Sequence, residues 1–187
     1  MAKTELTLQL ERAIWGRTRK QGVFGCFEVT IGWFGSERVD YLTYDTKGTW
    51  RCYEIKVSKP DFYSKAHNTF VGHYNYYVMP KELYEQVKDD IPKHIGVWIW
   101  DGMWGLKRPK RQELKVDEQI LKDSLIRSLY RETEKVIKSE NPNIVEQLNR
   151  QYRQAKKEVE EYREKYWRLM RIGEEKYGTR WYKEGSL

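Results

Sequence analysis

Asp40, Glu54 and Lys56 are the residues whose types and spacing suit a chemical reaction. Between the first two lies Asp45-Thr46-Lys47-Gly48, which has the residue types for a type I turn followed by Gly in the left-handed region. A hairpin closed there pairs Asp45 with Thr49 and carries Asp40 to the position directly opposite Glu54. Two ionised carboxylates so placed repel each other, and a cation between them removes the penalty. Hard oxygen ligands suit Mg²⁺, which takes one or two carboxylates and completes its shell with water and phosphate oxygens. Strand alternation puts Lys56 on the face of Glu54 and turns Ile55 away.

The elements that must position these residues follow from periodicity and punctuation. Residues 7–20 carry apolar positions at Leu8, Leu10, Ile14 and Trp15, an amphipathic helix ending before Gly22. Strands are expected over 23–33, 38–44 and 49–57, an antiparallel meander. Pro60 stops the third strand. A short helix over 61–70, an aromatic strand over 74–79, a helix over 81–88 and a strand over 95–100 follow, and Asp101-Gly102 reads as a turn into Met103-Trp104.

Beyond Leu106 the character changes to a basic cluster, Lys107-Arg108-Pro109-Lys110-Arg111, and two long polar helical patterns broken near Asn141-Pro142. The expected division is therefore a domain over 1–106 and a basic linker with a helical tail over 107–187. The second tail pattern spaces Val145, Leu148, Tyr152, Ala155, Val159, Tyr162, Tyr166 and Leu169 alternately three and four apart, a heptad seam. Two partners fit that seam: the first tail helix, through Leu114, Leu121, Leu125, Leu129 and Val136, or a second copy of the chain, giving a homodimer.

Asp40, the Glu54-Ile55-Lys56 tripeptide and the order helix, three strands, helix, strand resemble the PD-(D/E)xK nuclease superfamily over roughly residues 5–104. Val39 stands where the pattern has Pro. The resemblance implies an α/β restriction-endonuclease-like αβββαβ core, with a mixed central sheet flanked by helices and the long C-terminal helical extension beyond it. It implies that Asp40, Glu54 and the Ile55 carbonyl hold Mg²⁺, with Mn²⁺ as a substitute, and that Lys56 positions or deprotonates the attacking water. The reaction would be hydrolysis of DNA phosphodiester bonds in repair, recombination or phage and mobile-element DNA processing. Members of the superfamily often add a Glu from the first helix, and Glu11 fits that place better than Glu5. Ser58 and Lys59, trailing the motif, are candidate phosphate contacts, as are Lys107, Arg108, Lys110 and Arg111.

Other candidates are weaker. Asp61 suits a helix cap after Pro60. His67 and His73 lack the spacing of a metal pair, the run from Tyr74 to Tyr77 and the tryptophans Trp98, Trp100 and Trp104 read first as core, and Glu28 lies near the metal or faces solvent. Cys26 and Cys52 form no CxxC pair and read as small core hydrophobes of a reducing compartment.

The net charge of +7 is concentrated late: residues 1–106 hold 14 basic and 13 acidic groups, residues 107–187 hold 21 and 15. That surplus favours a polyanionic partner such as DNA. No run of eighteen apolar residues and no signal core occurs, so a cytoplasmic protein without a membrane partner is expected, nucleoid-associated or acting in a phage-infected cell. The competing reading is a non-catalytic nucleic-acid-binding or assembly module that uses the same fold and an oligomerising tail.

Overall fold

Thr4 opens the first helix, α1 (Glu5–Thr18): its hydroxyl accepts the Thr7 N–H at 3.2 Å, satisfying one of the donors that a helix start leaves unpaired. A computed structural model of the chain describes residues 3–35, 37–64, 68–100 and 104–178. After α1 come β1 (Val23–Thr30), β2 (Arg38–Asp45), β3 (Thr49–Ile55), a four-residue α2 (Lys59–Phe62), β4 (Tyr74–Met79), α3 (Lys81–Val87) with a 3₁₀ turn over Lys88–Asp90, β5 (Gly96–Ile99), β6 (Trp104–Lys107), α4 (Glu118–Glu140) and α5 (Pro142–Tyr177).

The six strands form one mixed sheet in chain order. The β1–β2–β3 meander is antiparallel, β3–β4–β5 is parallel, and β5–β6 is antiparallel. The hairpin between β2 and β3 has the register its turn dictates. Asp45 pairs with Thr49 and Tyr41 with Tyr53, Gly48 takes a φ of 80° and donates to the Asp45 carbonyl, and the Asp45 carboxylate accepts from Lys47 N and Thr49 N.

Both sheet faces are covered. Leu10 and Ile14 of α1 pack with Tyr41, Tyr53, Ile55 and Val78 on one side. On the other, Leu83 and Val87 of α3 pack with Tyr77, Met79, Val97 and Ile99, and Leu121 and Leu125 of α4 pack with Leu42, Trp50 and Cys52. Covered faces explain the aromatic and β-branched content of the central strands.

Two expectations change. The helix expected over 61–70 is only Lys59–Phe62. Ser58 caps it, and the Asp61 carboxylate turns back to the Val57 N–H, while the non-helical Phe70 and Val71 pack against the sheet. The boundary expected after Leu106 falls later: the compact units are Met1–Thr133 and Glu134–Leu187. The physical reason is the burial of Leu121 and Leu125, flanked by half-buried Leu114, Val116 and Leu129. The stripe of the first tail helix, one of the two partners that fit the second helix's seam, is therefore largely the lid of the sheet. The turn at 101–103 lies outside the described residues.

Candidate active site

Asp40 stands two residues into β2 and Glu54 one residue before the end of β3, so the β2–β3 register brings them to the same end of the sheet. The Asp40 carboxylate accepts the Ile55 N–H at 2.8 Å through one oxygen, which fixes it across the hairpin. Glu54 is only 4% exposed, and its Oε1 has no hydrogen-bond partner among the described residues. Burial first, and the Asp40 charge second, push the Glu54 carboxyl up to about 9. Asp40 is raised as well, chiefly by burial, with the Ile55 N–H and Lys56 acting in the opposite direction. Without a cation such a pair retains a proton between its members.

Lys56 is buried, and its charge acts on both carboxylates. Its ammonium lies 3.9 Å from one Asp61 oxygen, while the other accepts the Val57 N–H at 3.0 Å. Asp61 is thus a brace for the lysine's stretch of backbone rather than the expected helix cap, which Ser58 supplies.

Beside the pair, β1 is distorted at Glu28. Phe27 pairs with Tyr41 and Val29 with Val39, so Glu28 faces Asp40 across the strands, with a φ of 54° that non-glycine residues seldom adopt. The distortion changes the alternation: Cys26 and Val29, three apart, enter the same core cluster. Arg131 on α4 donates to the carbonyls of Phe27 and Glu28 at 3.2 and 3.3 Å, and Arg127 donates to those of Thr30 and Gly32 at 2.7 and 2.8 Å. The Glu28 carboxylate sits 3.0 Å from Lys3 and 2.8 Å from Arg38, and the same Lys3 ammonium bonds Glu11. Glu11 therefore joins the acidic pair only through Lys3 and Glu28. Among the described residues no three His, Cys, Asp or Glu side chains converge as a metal-holding group.

The basic candidates divide. Ser58 and Lys59 follow Lys56 after one residue, Val57, at the carboxylate end of β3. Lys107 is three strands from Glu54, and its ammonium is spent on the carbonyls of Ile91 and Pro92 at 3.2 and 2.8 Å, with burial lowering its pKa. Beyond it Arg108, Lys110 and Arg111 are exposed, and the chain runs toward the other end of the sheet, where Lys110 N meets the His94 carbonyl and Gln112 N the His73 carbonyl. His73 is structural there: its Nδ1 accepts the Trp50 N–H at 3.1 Å, so that nitrogen carries no proton. Lys65 and His67 lie outside the described residues, as does the side chain of Trp104. Tyr77 is a core member, half-buried Trp98 packs against the core, and Trp100 is partly exposed.

The sequence left the place of Glu28 open between the metal and solvent, and the bracing role of Asp61 went unread. The first had no signal, because the seven-residue connection between β1 and β2 leaves that register unset by any short turn. The second had one: a carboxylate five residues after Lys56, just past a helix-starting Ser-Lys-Pro.

No family model matches this chain, and no curated protein matches it. Among solved structures it is similar to the SPO1766 protein of unknown function from Silicibacter pomeroyi, at 17% identity and a TM-score of 0.59, over 76% of this chain and 96% of that one. At that identity the likeness is one of fold, and it extends over nearly the whole of the solved chain.

Proposed function

We propose that this protein is a divalent-metal-dependent nuclease that hydrolyses DNA phosphodiester bonds, with Asp40, Glu54 and Lys56 as its reacting end, in the manner of the PD-(D/E)xK superfamily. The observation that carries this reading is the state of Glu54: a carboxylate almost wholly buried, facing a second carboxylate, with one oxygen unpartnered. Burying such a group without compensation is costly, and it persists where a ligand supplies the compensation.

The residues fit Mg²⁺. The orphaned Glu54 Oε1 and the Asp40 oxygen not engaged by Ile55 N are the hard donors, with the Ile55 carbonyl as the expected third. Two carboxylates, with no third converging side chain among the described residues, leave room for water and phosphate oxygens. A magnesium ion held there would supply charge stabilisation for the phosphoryl oxygens and would acidify a bound water.

Lys56 brings a positive charge beside both carboxylates, where it orients the attacking water and offsets negative charge on the reacting phosphate. Asp61 keeps that ammonium at the end of β3, and Ser58 and Lys59 offer hydroxyl and ammonium contacts to the flanking phosphates. Glu11 and Glu28, held by Lys3, form the outer charged row.

The test is a cleavage panel of single-stranded, duplex, nicked, flapped and four-way DNA with Mg²⁺ or Mn²⁺, using Lys56→Ala as control. Metal-dependent cutting by the wild type, reduced at least about a hundredfold in Lys56→Ala, is expected. Binding of DNA without cutting of any substrate in either metal would replace this reading with the non-catalytic nucleic-acid module.

A further inference from the structure

The described end of the chain presents an unusual surface. In α5 the seam residues Leu148, Tyr152, Val159, Tyr162, Tyr166 and Leu169 are each more than half exposed, over a helix of 36 residues. At a rise of about 1.5 Å per residue the seam from Val145 to Leu169 runs about 36 Å along one side of the helix. The positions facing away from it, such as Arg150, Lys157, Glu164 and Arg171, are charged. A long helix with an apolar stripe of heptad period is the surface of a coiled coil, and its stripe is satisfied by another helix of the same period.

We propose that α5 is a self-association element that pairs with α5 of a second copy, parallel and in register. Charge complementarity selects this occupant. With Val145, Tyr152, Val159 and Tyr166 at the a positions and Leu148, Ala155, Tyr162 and Leu169 at d, the flanking g and e positions include Glu158 and Arg163. In a parallel, in-register pair Glu158 of each copy meets Arg163 of the other, while Gln151 meets Lys156 and Lys165 meets Met170, so no like charges face each other. The antiparallel alignment that stacks a on d across the whole seam gives Glu158 no basic partner, because the g positions beside it are Glu158 and Gln151 of the second copy. It also sets Lys156 against Arg163 of the second copy at two places, so its flanking charges repel. Within its own helix Glu158 accepts from Gln154 Nε2 at 2.9 Å, a neutral partner, while Arg163 makes only a long contact of 3.8 Å to the exposed Glu160, which pairing between copies would replace. The proposal stands apart from the nuclease reading, since it uses no residue of that site.

Light scattering on the full chain, coupled to size exclusion over a concentration series, gives the first measurement. A mass of twice 22.7 kDa is expected at the high end, dissociating on dilution. Val159→Glu combined with Tyr162→Glu should leave a monomer with unchanged sheet signal in circular dichroism. Glu158→Arg alone should raise the dissociation constant by about tenfold, and Glu158→Arg with Arg163→Glu should restore it, because the swapped charges meet again only in the parallel pair. Ala155→Cys should form a disulfide-linked dimer under mild oxidation, since Ala155 faces its own copy only when the helices run together. A monomer at all concentrations, which is also the result if α5 packs on its own chain, would overturn the proposal. So would a trimer, a dimer indifferent to the seam variants, or a charge swap that fails to restore association.

Discussion

Glu54 decides how the folded protein responds to acid. Its carboxyl ionises near pH 4.5 when the chain is unfolded and is pushed to about 9 in the fold by burial and by Asp40. Below 4.5 both states are protonated; between 4.5 and 9 the unfolded chain loses a proton that the folded one retains. The metal-free protein should therefore lose stability steadily as pH rises through that window. Glu54→Gln removes the charge and keeps the shape, and we expect it to stabilise the metal-free protein at pH 8 by ~1–3 kcal/mol, read as a raised melting midpoint. The same variant should abolish any Mg²⁺-induced rise in that midpoint. A Gln variant melting below the wild type would mean that Glu54 is satisfied in the fold.

Asp61 is tested separately, because it touches Lys56 without being placed to touch substrate. Asp61→Asn retains an acceptor for the Val57 N–H and loses the charge facing the ammonium. It should lower kcat roughly tenfold with KM little changed. An effect confined to thermal stability would reduce Asp61 to a structural brace.

At the scale of elements, what was legible in the sequence is what short-range chemistry sets. The Asp-Thr-Lys-Gly turn fixes the β2–β3 register by itself, and through it the opposition of Asp40 and Glu54, because Gly48 alone adopts its φ without strain and Asp45 binds the turn amides. The aromatic strand β4 was equally plain. What was not legible depends on contacts distant in sequence. The left-handed turn at Glu28 is held by Arg131, more than a hundred residues away, and nothing in the local residues of β1 requires it. Arg131→Ala should leave the Phe27 and Glu28 carbonyls without this donor and cost about 1–2 kcal/mol, and it should also lower activity through the drift of Glu28 and its ion pairs. A variant that loses stability but keeps full activity per folded molecule would show that the distortion serves packing alone.

The division of the whole molecule rests on distant contacts in the same way. The polar pattern after Leu106 resembles a solvated tail, since few of its positions are apolar; yet Leu121 and Leu125 close the sheet's second face, and Ser124 and Trp50 bond across the joint, to Gly32 N at 2.9 Å and to Glu118 at 3.2 Å. Leu121→Ala should cost ~2–5 kcal/mol, as in a core, and the fragment 1–106 should fail to fold where 1–133 succeeds, by chemical denaturation and proteolysis. Cooperative unfolding of the shorter fragment would restore the earlier boundary.

The hydrogen bond from the Trp50 N–H to His73 Nδ1 gives the sheet a second ionisable end, far along β3 from Glu54. Burial, and then the neighbouring Arg111, hold His73 below its ordinary 6.5, and a protonated ring cannot accept that bond. Its contribution is complete above 6.5 and drains away as the pH falls through the folded value. One end of the sheet thus sheds a proton to hold together, while the other keeps one to stay at rest. Acidification slackens the end around Trp50 while it relieves the crowded carboxylates. Amide exchange followed across pH would show the two ends of a single strand, β3, trading places as its firmer half.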